Sequence, residues 1–339
     1  MSAPFPWQAP QWRTISAARA AGRLHHALLV TGPPGVGKAA FIEALVGWLL
    51  CESPRGDTAC GECRGCRQHA AGSHPDCVVL SPDHERRPAL APYPGQRSQY
   101  DPSRKAPSAV INIAQVRELG ERLSASAHYG GYKLAVLLPA DALNAAAANA
   151  LLKLLEEPPD NTLFLLLSQR AGTLPATVRS RCQALRFSTP APEASRAVLA
   201  SVATDAADDA ELALDLAGRA PLRAQILLSL DIGGVWRAVE AGFDALLQGR
   251  TDPLRLGREW LKLPQEALDA ALYGWLRHAL RRAGGDTGAR VASTVDIGRL
   301  QAFAAELDAF MRLREHPLVK DLALQRLLHP FGTGTRSAA

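Results

Sequence analysis

The first half of the chain alternates short apolar runs with segments of helical periodicity. Mostly apolar runs predict buried strands at 28–30, 77–80, 134–138, 163–167 and 184–187. Apolar side chains at helical spacing predict helices between them, at residues 39–50, 113–123 and 144–157. Because strands alternate with helices, residues 1–189 are predicted to form an α/β domain on a parallel sheet.

The pattern changes after Pro190, where the strand signal stops. Residues 190–233 predict two or three short helices, and residues 234–339 are helical throughout. Two apolar stripes in this last region predict helix-packing surfaces: Leu268, Leu272, Trp275 and Ala279, and Leu300, Phe303, Leu307 and Phe310. Residues 81–108 are rich in proline and lack periodicity, which predicts a long exposed loop.

Composition narrows the class of protein. The chain of 339 residues is 47% hydrophobic and 21% charged, which is typical of a soluble globular protein and excludes general disorder. No apolar run approaches the roughly 18 residues that span a bilayer, so we expect a cytoplasmic protein without a membrane segment. A formal net charge of +5 permits contact with nucleic acid but does not establish it.

A glycine-rich motif follows the first predicted strand. Residues 32–38 match G-x-x-x-x-G-K, in which Gly32, Gly35 and Gly37 let backbone N–H groups approach phosphate oxygens. Lys38 is the residue that reaches the outer phosphates in this motif. Ala39 occupies the next position, where a serine or threonine hydroxyl would ligate Mg²⁺.

The acidic half of an ATPase site is also missing. The strand predicted at 134–138 ends in Leu138-Pro139-Ala140-Asp141, with no carboxylate at the first two positions. Asp141 lies beyond the strand end and is expected to point elsewhere. Without Mg²⁺ to neutralise the transferred phosphoryl group, we expect weak or no nucleotide binding and negligible hydrolysis. The alternative is an active ATPase with an unusual metal shell.

Four cysteines predict a structural zinc module over residues 51–76. Cys51, Cys60, Cys63 and Cys66 follow the pattern C-x8-C-x2-C-x2-C, which places four thiolates around one point. An iron–sulfur cluster is the main alternative, because C-x2-C-x2-C also occurs there. Three other residues are candidates to replace Cys51 as the fourth ligand: His69, His74 and Cys77.

Arg181 lies in the segment Arg179-Ser180-Arg181-Cys182, after the strand predicted at 163–167. By itself, an arginine in this place is most often a surface or salt-bridged residue.

Several motifs together carry a family resemblance. They are Pro-Trp at 6–7, Gly-Arg-Leu-His-His-Ala-Leu-Leu at 22–29, the degenerate phosphate loop, the four-cysteine insertion, Gly-Ser-His-Pro-Asp at 72–76, Asn-Ala-Leu-Leu-Lys-Leu-Leu-Glu-Glu-Pro-Pro at 149–159 and Ser-Arg-Cys at 180–182. With them the chain resembles subunits of the bacterial DNA polymerase III clamp loader, in the AAA+ clamp-loader group.

This resemblance implies a P-loop AAA+ domain at 1–189 with a zinc insertion, a helical lid at 190–233 and a helical collar at 234–339. It implies a hetero-pentamer with gamma/tau and delta subunits, which loads the sliding clamp onto primer–template DNA. ATP would be bound by the neighbouring subunits and not hydrolysed here. Arg181 matches the arginine finger of the group, which acts on a neighbour's γ-phosphate, and Ser168 falls at the sensor-1 position.

Two other functions remain open. An ATP-hydrolysing motor of the gamma/tau type is disfavoured by Ala39 and by the missing acidic pair. A stand-alone zinc protein that binds nucleic acid is disfavoured because the cysteine cluster has few interleaved aromatic residues.

Overall fold

A parallel β-sheet unit, Met1–Ala194, precedes a helical unit, Ser195–Ala339. The computed structural model describes residues 4–82, 110–200, 207–291, 295–313 and 320–332. The predicted proline-rich loop at 81–108 lies outside the described residues except for its first two positions.

Five parallel strands form the sheet of the first unit, in the order β2-β3-β4-β1-β5. Their bounds are β1 Ala27–Thr31, β2 Cys77–Leu80, β3 Lys133–Leu137, β4 Thr162–Ser168 and β5 Gln183–Arg186. The predicted α/β class with a parallel sheet is confirmed.

Both faces of this sheet are buried, as continuous apolar strands require. Leu29 and Leu166 lie on one face, in a cluster with helix residues such as Val116 and Leu151. Leu28 points to the opposite face, because side chains alternate along a strand, and it is also fully buried.

The described residues of the first unit form six α-helices besides the strands. Their bounds are α1 Ala9–Ala20, α2 Lys38–Leu49, α3 Arg64–Ala70, α4 Ile113–Ser124, α5 Ala145–Glu156 and α6 Ala176–Ser180. The predicted α2, α4 and α5 are confirmed. Asn112 and Asn144 fix the starts of α4 and α5, since their side chains accept two hydrogen bonds and one, respectively, from backbone N–H groups of the first turn.

The described part of the second unit is helical. The helices are α7 Pro192–Ala200, which crosses the unit boundary, α8 Ala207–Leu216, α9 Pro221–Ser229, α10 Ile232–Leu247, α11 Pro253–Trp260, α12 Gln265–Ala283, α13 Ile297–Leu313 and α14 Lys320–Gly332. Within the described ranges, no helix combines the length and the apolar character needed to cross a membrane.

Aromatic rings form the centre of the helical unit. Phe243 stacks on Trp275 with 3.6 Å between ring centroids, and Phe303 and Phe331 meet both rings edge-on. The two predicted apolar stripes are buried here. A single hydrophobic cluster extends from Leu199 to Phe331, and the division into lid and collar at residue 233 stays a prediction.

Candidate functional site

The glycine-rich loop joins β1 to α2 in a conformation that needs its glycines. Gly32, Gly35 and Gly37 have φ angles of +146°, +79° and +87°. A Cβ on Gly32 would lie 2.3 Å from the carbonyl oxygen of Phe187, just after β5. Gly37 caps α2, so the unpaired N–H groups of the first helical turn lie beside the loop, where they are suited to phosphate.

The ammonium group of Lys38 bonds to the loop itself. Its Nζ donates to the carbonyl oxygens of Gly32 and Pro33, at 2.6 Å in each case. The residue is only 3% exposed. Burial lowers the pKa of this ammonium to about 8, although the charge of Asp141 acts in the opposite direction. Lys38 therefore stabilises the closed turn of the loop through backbone carbonyls.

The N-terminal segment braces the outside of the same loop. Gln8 is fully buried, and its Nε2 donates to the carbonyl oxygens of Val36 and Gly37 at 3.1 and 2.9 Å. Trp7 Nε1 also donates to Val36 O, and the Trp7 ring stacks on Phe5 at 4.5 Å. No local sequence pattern indicates this contact, because the partners are 28 or 29 residues apart in the chain.

The positions expected to hold Mg²⁺ carry no oxygen ligand on their side chains. Ala39 presents a buried methyl group in the first turn of α2. Leu138, the residue after β3, is buried and is followed by Pro139. The loop thus has the backbone of a phosphate site without side chains that could ligate the metal at these positions.

Asp141 accepts hydrogen bonds from residues at the end of β4 and in the turn that follows it. Its carboxylate accepts hydrogen bonds from Ser168 Oγ at 2.6 Å, from the backbone N–H of Gln169 at 2.7 Å and from Thr173 Oγ1 at 3.0 Å. Ser168 is fully buried. The carboxylate therefore stabilises the turn after β4 through hydrogen bonds. Its charge also raises the pKa of Lys38, against the effect of burial.

Arg181 lies at the C-terminal end of α6. Its Nη2 is 2.6 Å from Oε1 of Glu156, the last residue of α5, and its Nη1 donates to Thr177 O at 3.0 Å. The Arg181 side chain keeps 37% of its surface exposed. The guanidinium is consequently paired within the chain and still accessible from outside.

The four predicted cysteines lie together. Within the described residues, the Sγ atoms of Cys51, Cys60, Cys63 and Cys66 all lie within 4.8 Å of one another. The Cys51–Cys63 and Cys60–Cys66 separations are each 3.9 Å. Zn–S bonds of about 2.3 Å place the corners of a tetrahedron about 3.8 Å apart, so this donor set fits a metal ion such as zinc.

Backbone N–H groups stabilise negative charge on these sulfurs. Cys60 Sγ accepts from the N–H groups of Glu62 and Cys63 at 3.5 and 3.3 Å, which lower the pKa of the Cys60 thiol to about 6. Burial has the opposite effect on Cys51 and Cys66, whose pKa values are raised. A bound cation would offset that burial cost, because metal ligation deprotonates thiols.

The three alternative ligands are not part of the cluster, which consists of the four cysteines alone among the described residues. His74 instead uses Nδ1 to accept from the N–H of Asp76, and its ring meets Tyr129 edge-on. Cys51 is thus the residue that the structure places with the other three cysteines, as the spacing predicts.

Two tryptophans attach the cysteine module to the sheet unit. Trp12 Nε1 donates to Oδ2 of Asp57 at 3.0 Å, and Trp48 Nε1 donates to Gly56 O at 3.3 Å. Gly65 allows the close approach of α3 to the end of α2, since a Cβ there would lie 2.4 Å from the carbonyl oxygen of Leu50.

A family model described as "DNA polymerase III, delta subunit" matches residues 7–191. The DNA polymerase III subunit delta' of Escherichia coli K12 is 38% identical over 243 residues, which cover 71% of this chain and 65% of that relative. The subunit delta' of Pseudomonas aeruginosa PAO1 is 35% identical over 280 residues, which cover 82% of this chain and 77% of that relative.

A more distant match is the DNA polymerase III subunit tau of E. coli, with 29% identity over 161 residues, which cover 48% of this chain and 21% of that relative. The range matched by the family model includes the phosphate loop, the cysteine module and Arg181. The chain therefore belongs to the family of the DNA polymerase III delta' subunit.

Proposed function

We propose that this chain acts as a non-catalytic subunit, delta', of a bacterial DNA polymerase III clamp loader. It would assemble with gamma/tau and delta subunits into a hetero-pentamer in the cytoplasm. That assembly uses ATP to open the sliding clamp and to place it on primer–template DNA. Family membership supports this role, and the match to a tau subunit supports gamma/tau as partners.

The observation that carries the proposal is a formed phosphate loop without metal-ligating side chains. Gly32 to Lys38 have the conformation of a phosphate cradle, while Ala39, Leu138 and Pro139 offer no ligand. Phosphoryl transfer depends on a divalent ion that neutralises charge on the transferred group. The chain itself would therefore not hydrolyse ATP, and any nucleotide at Lys38 would bind weakly.

Arg181 supplies the catalytic contribution of this subunit to a neighbour. Its guanidinium lies at the end of a short helix and is partly exposed, which is the accessibility that a group acting in trans needs. An arginine finger stabilises charge on the γ-phosphate in the transition state and is worth roughly 10³–10⁵ in rate. A gamma/tau subunit that holds ATP is the receiving partner.

Zinc is the metal that the cysteine module fits. Four thiolates fill a tetrahedral shell and leave no open position, as in structural zinc sites. Sulfurs within 4.8 Å of one another surround a single ion, whereas a cluster of several irons needs more room between its thiolates. When bound, zinc would tie residues 51–66 together and contribute free energy of folding.

The proposed domain arrangement follows the same family. Residues 1–189 form the AAA+ P-loop domain, residues 190–233 the lid, and residues 234–339 the collar through which the subunits assemble. The parallel sheet of the first unit and the helices of the second are compatible with this division.

The test is reconstitution with gamma/tau and delta subunits. We expect the full chain alone to release no phosphate from ATP with Mg²⁺, and the complex to assemble as a pentamer by mass measurement. Arg181→Ala should leave assembly intact and lower ATP turnover and clamp loading. Arg179→Ala, which alters an exposed arginine on the same helix, is the matched control.

Three results would contradict the proposal. Mg²⁺-dependent phosphate release by the chain alone would favour a motor of the gamma/tau type. Equal ATP turnover in complexes with the wild-type chain and with Arg181→Ala would contradict the role of Arg181 as an arginine finger. Salt-dependent DNA binding by the chain alone, without assembly, would favour the stand-alone zinc protein.

A further inference from the structure

A partly buried cationic group on the helix that precedes β1 packs on a tryptophan that contacts the cysteine module. The guanidinium carbon of Arg19, in α1, lies 4.1 Å from the centroid of the Trp48 ring. Its Nη1 atom is buried and has no hydrogen-bond partner among the described residues. An unpaired buried donor on a charged side chain is costly unless an opposite charge is close.

A source of such charge lies three residues beyond Trp48 in the chain, at Cys51, the first ligand of the module. Trp48 and Cys51 lie at the same end of α2, and the N–H of Cys51 donates to Trp48 O at 3.4 Å. Burial lowers the pKa of the Arg19 guanidinium, while Tyr132 and Cys51 act in the opposite direction. The guanidinium of Arg19 thus packs on a residue that lies three positions before Cys51 in the chain.

The position of Arg19 is suited to balance negative charge on the metal–thiolate group. A divalent ion with four thiolates carries a net charge of about −2. Cys51 and Cys66 are buried, so part of that charge lies away from water. Groups outside the ligand shell commonly orient the ligands and stabilise their charged form. The Trp48 ring can hold the guanidinium in place, because a cation is attracted to the face of an indole.

We infer that Arg19 is a positioning residue for the metal centre: its guanidinium, held on Trp48, balances part of the negative charge of the metal–thiolate group. This inference rests on the zinc site proposed above. It predicts that Arg19 affects the affinity for zinc and not only the stability of α1.

The experiment measures zinc affinity of the full chain by competition with a chromophoric chelator. We expect Arg19→Met to weaken zinc binding about tenfold, within the range usual for residues around a metal shell. Arg19→Lys keeps the charge and should lie between Arg19→Met and wild type. Arg13→Met, which alters an exposed arginine of the same helix, should bind zinc like wild type.

Equal zinc affinity in Arg19→Met and wild type would overturn the inference, and so would an equal loss in Arg13→Met. If Arg19→Met fails to fold, zinc affinity is compared between Arg19→Lys and Arg13→Lys. Weaker binding in Arg19→Lys alone would support the inference, and equal affinity in the two variants would overturn it. A wild-type chain that binds no zinc would refute the zinc site, and the Arg19 inference with it. If the wild-type chain binds zinc and Arg19→Met binds it equally well, the zinc site stands and only the role of Arg19 is refuted.

Discussion

Arg181 and Glu156 form an ion pair that joins the end of α6 to the end of α5, with 2.6 Å between Nη2 and Oε1. The carboxylate belongs to the Leu-Leu-Glu-Glu-Pro-Pro segment, and the guanidinium belongs to the Ser-Arg-Cys segment. Two motifs that are separated in the sequence therefore meet in one contact. In the free subunit, the proposed finger is already held by a carboxylate.

Glu156→Gln tests what that carboxylate does. Both side chains are substantially exposed, so we expect the free energy of unfolding to change by less than about 1 kcal/mol. In the proposed role, Glu156 competes with phosphate for the guanidinium. We therefore expect a complex with Glu156→Gln to turn over ATP at least as fast as the wild-type complex. A loss as large as that of Arg181→Ala would show instead that Glu156 orients the finger.

Lys38→Met tests the buried ammonium of the phosphate loop. Burial depresses the pKa of Lys38 to about 8 in the folded chain, from its ordinary value of 10.5. Between these pH values the unfolded chain binds more protons, so stability rises with pH from about 8 to 10.5, and below pH 8 this group no longer changes it. We expect wild type to gain up to about 3 kcal/mol relative to Lys38→Met between pH 8 and 10.5.

The measurement is urea unfolding of both chains across that pH range. Comparison with the variant cancels the titration of cysteines and tyrosines, which also occurs there. A difference between the two chains that does not vary with pH would contradict a depressed pKa at Lys38.

Asp141→Ala should destabilise the turn after β4. The variant leaves the buried hydroxyl of Ser168 and the N–H of Gln169 without their acceptor, which costs about 1–3 kcal/mol per buried group. Urea unfolding measures the loss, and Asp160→Ala, at an exposed aspartate, is the control. Unchanged stability would show that water replaces the carboxylate.

Removal of the metal should unfold the cysteine module. We expect about one zinc per chain in metal analysis, a colourless protein and a lower melting temperature after treatment with a strong chelator. Cys60→Ser should lose zinc, whereas Cys77→Ser should retain it because Cys77 lies outside the cluster. A brown preparation that contains iron would establish the iron–sulfur alternative.

Local patterns in the sequence predicted the strands, the helices α2, α4 and α5, the phosphate loop and the cysteine module. These features depend on residues close together in the chain, such as the glycines at 32–37 or the cysteines at 60–66. A buried parallel strand needs an apolar run, and a tight loop needs glycine, so the chemistry of the segment determines its structure. The helices α1, α3 and α6 lack such clear signals and were not predicted.

Tertiary structure alone decided the contacts between distant segments. Gln8 bonds to the phosphate loop, Asp141 bonds to Ser168, Glu156 pairs with Arg181, and Arg19 packs on Trp48. Each of these pairs depends on the order of strands in the sheet and on how the helices pack against it, which no single segment encodes. The sequence thus determined which chemical groups the protein has, and the packing of the sheet unit decided which of those groups face one another.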